Sequence, residues 1–267
     1  MPSAEQAAVP SRPLISEPAD RFNKDMAGLF GFCGLVTTSC SLLDTAARTF
    51  LPLVLALPPE IFEKQGLAAE FYQNTRDFID GKLGGPADDL AGYIPLILEM
   101  IFCRSIDNFL NYVSELLALI FITRPEALRS NEKISIQEVL QYKDRDELLG
   151  ALTERRVLSL SFKGLATLDE ELGKALAFPL FPDAVSRERA AFLVERRNLA
   201  AHNRCVVNRL YLARVQSGTE KLGDRIVFEP KGVVDALGFL IDSVDEIDVR
   251  AEMKFGVPRT VVSSRTR

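Results

Sequence analysis

Apolar residues recur along most of this chain at three- and four-residue steps, the spacing of helices with one face turned to a core. The clearest run spans residues 93–122, where Ile106, Leu110, Val113, Leu117 and Ile120 form one stripe. A long helix is predicted there, with Pro95 in its first turn and Pro125 beyond its end. Upstream, Pro58-Pro59 opens a predicted helix over 58–80, with Glu60 and Glu63 placed to complement its dipole. Gly81, Gly84, Gly85 and Pro86 then mark the main internal break. Downstream, Ser135 and Glu138 read as a capping box for a short helix ending at Gln141. Amphipathic segments follow at 144–160 and 165–177, before Pro179 and Pro182 interrupt. Ser186 is the predicted cap of the next helix. Residues 225–229, between Gly223 and Pro230, read as a short strand, and 233–255 as the closing helix. Alternating strand patterns are too scarce for a sheet-based fold, so the class is all-α with at most one short strand or hairpin.

Composition adds bounds. The chain has 267 residues, of which 47% are apolar, enough to bury a substantial core. A formal charge of −5 argues against a protein that coats nucleic acid over its whole surface, but leaves room for a local basic site. Cys33, Cys40, Cys103 and Cys205 form no C-x-x-C pair, and a single histidine cannot complete a zinc cluster. No metal or cofactor site is expected, and the cysteines read as small buried residues of a reducing compartment. Residues 1–20 carry four prolines and no signal-peptide pattern, so a flexible tail and a cytoplasmic protein are expected. Residues 26–43 carry no charge, which raises the question of a membrane span. Three glycines, four hydroxyl residues and the bounding Asp25 and Asp44 favour a packed soluble helix instead, with no membrane partner.

The chemistry concentrates in one segment. Residues 187–214 hold seven arginines, no lysine and only two acids, a local charge of +5 in an acidic chain. Arginine presents a planar fork of donors matched to phosphate oxygens. Within the run lies Arg196-Arg197-Asn198-Leu199-Ala200-Ala201-His202-Asn203-Arg204, with the only histidine of the protein. Histidine carries protons near neutral pH as no other side chain does. Asn198 and His202 sit four apart, on one helix face, where the amide is placed to orient the imidazole. Arg197 lies about 140° away around the helix, sharing a substrate only at the edge of that face. A plainer alternative stays open. The arginines then form a solvated face paired with acids on neighbouring helices, and the histidine is satisfied by Asn198 or Asn203.

Arg197-Asn198-x-x-x-His202 resembles the Arg-x4–6-His signature of the HEPN superfamily, in which a polar residue commonly follows the arginine. The stretch Ser105-Ile106-Asp107-Asn108-Phe109-Leu110-Asn111-Tyr112, continuing through Leu116 to Arg124-Pro125-Glu126, is similar to the long first helix and turn of one prokaryotic branch. Asn203-Arg204-x-Val206-Val207-Asn208 is similar to what trails the signature there. The resemblance covers residues 93–214 and implies an all-α, multi-helix HEPN-like bundle, to which the helices read upstream from the sequence pattern add an N-terminal helical extension. The expected organisation is a tail over 1–20, helices over 21–90, a HEPN-like domain over 91–256 and a flexible tail over 257–267.

The resemblance further implies a metal-independent endoribonuclease of toxin–antitoxin or phage-defence type, acting as a homodimer without a cofactor. His202 would transfer protons, Arg197 would stabilise the charged transition state, and Asn198 would orient groups around them. Arg196, Asn203 and Arg204 would bind the RNA. The chain has no Gly-Ser dipeptide of a nucleotidyltransferase motif, so any neutralising antitoxin is a separate protein. The alternative function is a non-catalytic module of the same type that binds RNA, a nucleotide or a protein.

Overall fold

The computed structural model describes residues 14–55, 73, 77, 86–128, 134–161, 164–215 and 219–261. In chain order these form β1 (Leu14–Ile15), α1 (Glu17–Leu55), α2 (Pro86–Thr123) and a 3-10 turn at Pro125–Leu128. There follow α3 (Ile136–Val139), α4 (Arg145–Ser161), α5 (Leu165–Leu176), α6 (Ala184–Asn203), α7 (Arg209–Arg214), α8 (Pro230–Phe255) and β2 (Thr260–Val261). The fold is all-α. Among the described residues the only sheet is the antiparallel pair of β1 with β2, registering Leu14 on Val261 and Ile15 on Thr260.

Helix signals in the sequence translate well, with local corrections. Ser135 caps α3 by accepting a hydrogen bond from the Glu138 N–H at 3.1 Å. The Glu138 carboxylate is paired with Arg155. Helix α2 begins at Pro86 rather than near Tyr93, so Pro95 lies inside it rather than in its first turn. An interior proline costs roughly 3 kcal/mol in an isolated helix. Burial of Leu98, Ile101 and Phe102 just beyond it is the packing that offsets this. The cap of α6 is Asp183, not Ser186. Its carboxylate accepts the Ser186 N–H at 2.8 Å, and that hydrogen bond holds the Asp183 carboxyl below its usual range. No strand forms over 225–229, where only an isolated bridge joins Arg225 to Val206. Of the helix expected over 58–80 only Gln73 and Asp77 are described, both helical, and the rest, with the glycine break after it, lies outside the described residues.

The chain forms two compact units. One comprises Ala27–Phe102 and Val227–Val233, the other Met1–Met26, Cys103–Ile226 and Val234–Arg267. In the smaller unit Phe102 packs on Phe228 with ring centroids 4.6 Å apart. Phe30, Phe32, Leu35 and Leu42 of α1 are exposed there, so the uncharged stretch over 26–43 is less packed than its pattern implies. By length and composition alone Tyr93–Thr123 is apolar enough to cross a membrane, and half of its most apolar window is buried in the protein.

The core of the larger unit is built on α2 and α8. Ile106, Val113, Leu117 and Ile120 of the predicted stripe are buried, together with Phe109, Tyr112 and Leu116. Leu237, Leu240, Val244, Ile247 and Ala251 are among the buried side chains of α8. Each large side chain so buried contributes roughly 1.5–3 kcal/mol. Phe181 bridges the layers, with its ring 6.2 Å from both Phe109 and Phe239. Leu110, the remaining member of the stripe, is only half-buried, because it faces the hollow described below.

The first and last described residues are fastened to each other. The backbone N–H of Ser16 donates to Asp248 Oδ2 at 3.1 Å, and its hydroxyl donates to Oδ1. Ser16 also caps α1, accepting the Ala19 N–H at 3.3 Å. Asp248 is 1% exposed, and Arg259 approaches it at 3.4 Å, so the carboxylate is buried with compensating partners.

Candidate functional site

Helix α6 carries the Arg197–His202 signature and is anchored at both ends. Asp183 caps its start. At its end Arg204 and Cys205 adopt left-handed conformations, with φ of 52° and 63°. Two successive non-glycine residues there cost roughly 1–2 kcal/mol each. The turn is held by Asn203 Nδ2, which donates to the Val206 carbonyl, and by burial of Cys205. The backbone then pairs residues 205–207 with 223–226, through Val207 N–H to Asp224 O and Ile226 N–H to Cys205 O, both at 2.8 Å.

His202 stands exposed in the last turn of α6 and makes no hydrogen bond among the described residues. It lies on the rim of two hollows. The larger, of about 560 Å³, is shared by Arg197, Asn198, His202 and Arg214 with Asn111 and Ser114 of α2. The smaller, of about 300 Å³, is shared by Asn198, His202, Asn203, Asn208, Tyr211 and Glu195. Helical angle alone places Arg197 at the edge of the His202 face, yet its long side chain reaches the same hollow.

Arg197 is fixed from below. Its Nη2 is 2.6 Å from Asp107 Oδ1 of α2, and its Nη1 donates to Asn198 Oδ1 at 3.2 Å. Its Nε is buried without a partner. The expected role of Asn198 therefore changes: its amide oxygen holds the arginine, and no hydrogen bond links it to the imidazole. Asp107 is the functional neighbour that motif reading missed. The sequence signal was its place in the α2 stretch that accompanies the signature, but nothing in linear order names its partner.

Arg196 lines neither hollow. It pairs with Glu220 at 3.0 Å and lies over the Phe192 ring at 5.3 Å, with 18% of its side chain exposed. Tyr211 Oη donates to the same Glu220 oxygen at 3.4 Å. Burial, and then the Glu220 charge, push the Tyr211 phenol up to about 12. The structure thus gives Arg196, a candidate RNA contact, a structural partner. Asn203 serves mainly the helix-ending turn, while Arg204 is exposed at the αL position.

Most of the other arginines are also engaged. Arg187 pairs with buried Asp169 at 2.6 Å, Arg189 lies over the Phe239 ring at 4.6 Å, and Arg214 pairs with Glu195 at 3.0 Å. The local excess of positive charge in the sequence is therefore largely answered by Asp107, Asp169 and Glu220 from outside the segment. This is the plainer alternative for those positions, and it leaves Arg204 and Arg209 exposed without an ion pair among the described residues.

Among the described residues no cluster of three or more His, Cys, Asp or Glu side chains could hold a metal ion. Cys33 and Cys103 are half-buried. Only Cys205 is fully buried, in contrast to the expectation for all four, and Cys40 lies among side chains not described.

No family model, curated protein or solved structure matches this chain.

Proposed function

We propose that this chain is a metal-independent endoribonuclease of HEPN type, acting in the cytoplasm as a homodimer within a toxin–antitoxin or phage-defence system. The observation that carries the reading is an exposed, unpartnered imidazole sharing one hollow with a guanidinium held in place by Asp107. That pairing suits chemistry on a phosphodiester, where a proton must move and negative charge builds on phosphorus-bound oxygens.

In this reaction the ribose 2′-oxygen attacks the adjacent phosphorus and the bond from phosphorus to the 5′-oxygen breaks. A base takes the 2′-hydroxyl proton and an acid delivers one to the departing oxygen. The products are a 2′,3′-cyclic phosphate and a 5′-hydroxyl. One imidazole cannot be base and acid at once, so a two-fold dimer bringing two copies of His202 into one cleft supplies both. Arg197 stabilises the phosphorane-like transition state. RNA is selected because DNA lacks the attacking hydroxyl.

A non-catalytic binding module is the second reading. It is favoured by one observation: both terminal nitrogens of Arg197 already have protein partners. Incubating purified protein with single-stranded RNA separates the two. Cleavage by the wild type that leaves cyclic phosphate ends and disappears in His202→Ala supports the nuclease. Equal behaviour of both proteins toward RNA removes it. A separate antitoxin is tested by co-expression with neighbouring reading frames.

A further inference from the structure

We propose that the larger hollow beside His202 is a nucleoside pocket, which takes one unstacked base and its ribose from the RNA strand. This assigns a substrate subsite and rests on the ribonuclease reading above. The hollow measures about 560 Å³, within the range of roughly 300–1,000 Å³ typical of small-molecule sites. Its floor is aliphatic, formed by Leu110, Val113, Leu165, Leu168 and Val194. Its rim is polar, with Asn111 and Ser114 on one side and Arg197, Asn198 and His202 on the other. An apolar slot with amides at its edge suits a flat heterocycle, since a side-chain amide offers a donor and an acceptor together. Arg197 and Arg214, which also line the hollow, suit the phosphates that flank a base in a strand.

Other features point the same way. Leu110 belongs to the core stripe of α2 by spacing, yet it is only half-buried because the hollow opens over it. Asn111 is exposed beside it and makes no hydrogen bond among the described residues, so its amide is open to a ligand at the rim. Gly164 forms part of the wall at φ 79°, a conformation that keeps a side chain out of that side of the opening. A bare phosphate would need only the arginines and would leave the aliphatic floor wet. An RNA duplex would hide its bases from the slot, so the pocket fits a single strand or loop.

The test titrates the full-length protein with each of the four ribonucleoside 3′-monophosphates, using inorganic phosphate as the reference, by calorimetry. The expected result is that at least one nucleotide binds tenfold or more tightly than phosphate. Ser114→Phe fills the hollow from its rim and should weaken that binding at least fivefold. Asn111→Leu, at an exposed position, should weaken it similarly and serves as the deciding variant if Ser114→Phe melts early. Nucleotides binding no better than phosphate, or folded variants binding as the wild type does, overturn the pocket. The same preparations are assayed for RNA cleavage. His202-dependent cleavage without nucleotide binding removes the pocket and leaves the nuclease. Nucleotide binding without cleavage keeps the pocket and removes the nuclease.

Discussion

Asp107 Oδ1 lies 2.6 Å from Arg197 Nη2, an ion pair that fixes the signature arginine of α6 to the long core helix α2. With 33% and 25% of the two side chains exposed, the pair is neither fully solvated nor fully buried. Such a contact holds a guanidinium in one orientation, which a flexible surface arginine would not maintain. Arg197 is therefore presented to the hollow by α2 as much as by its own helix.

On the ribonuclease reading Asp107 is a positioning residue, and its replacement by asparagine should separate positioning from binding. Asp107→Asn keeps the volume but removes the charge, which should cost about 1–2 kcal/mol of stability as a lost charged hydrogen bond. On the ribonuclease reading, cleavage should fall by ~10–100-fold in kcat with KM little changed, since Arg197 would act on transition-state charge. Asp107→Glu should restore part of that loss. Urea unfolding and steady-state cleavage measure the two effects. A variant destabilised as expected but cleaving normally would show that Arg197 needs no fixed orientation.

The Tyr211–Glu220–Arg196 cluster makes a prediction in alkaline solution. The Tyr211 phenol titrates at about 12 in the folded chain, against an ordinary value of 10.0. Its neutral form is thus favoured by folding. The associated stability is present below pH ~10 and is lost as pH rises through the interval toward ~12, because the unfolded chain ionises first. Tyr112 is raised as well, mainly by burial and then by Asp248, so Tyr112 and Tyr211 should both titrate late. Ultraviolet absorbance during a pH titration counts them. In Glu220→Gln one late tyrosine should move toward the ordinary range, while burial keeps it above that value. An unmoved titration would mean that Glu220 contributes no field at the phenol.

The helices were legible in the sequence because the 3.6-residue period is a local property of each segment. The cap of α6 was misread because Asp183 and Ser186 are both good cap residues three apart. The chain is already helical at Ala184, so Asp183 is the cap and the Ser186 backbone N–H is its donor. Residues 225–229 read as a strand from composition, but a strand needs a ladder, and Val206 offers only one bridge. At the site, Arg197, Asn198 and His202 could be found from spacing, whereas their partners could not. Asp107, Asp169 and Glu220 lie on other elements, and pairing across elements leaves no period in linear order. The divergence of Arg196 from Arg197 was available in principle, since adjacent helical positions point about 100° apart.

The fastening of the chain's two described ends should govern global stability. Ser16→Ala removes two contacts at once, the hydroxyl donor to Asp248 and the cap of α1. Asp248, 1% exposed, is then left with fewer partners. The expected loss is about 2–3 kcal/mol, from one buried charged hydrogen bond and one helix cap. The denaturant midpoint should fall while RNA cleavage at low temperature stays near the wild-type rate, because no site residue touches Ser16. A loss of under about 0.5 kcal/mol, the range of ordinary surface changes, would mean the ends are not fastened in solution.

Arg196 and Arg204 should separate structure from nucleic-acid contact. Arg196 is held by Glu220 and Phe192, so Arg196→Ala should lower stability by roughly 1–3 kcal/mol, leaving Glu220 with one partner fewer. It should leave the salt dependence of RNA binding unchanged. Arg204 is the reverse case: exposed, and bent into a left-handed conformation at the end of the signature helix. Arg204→Gly relieves that strain and should raise stability by up to ~1 kcal/mol, less the added freedom of the unfolded chain. If its guanidinium meets a phosphate, the slope of log binding constant against log salt should flatten by about 0.7, the value for one contact on a single strand. Thermal melts and RNA titrations at several salt concentrations measure both effects. An Arg204→Gly protein that is stabilised yet keeps the wild-type slope would remove Arg204 from the RNA path, and a flattened slope in Arg196→Ala would place that arginine on it.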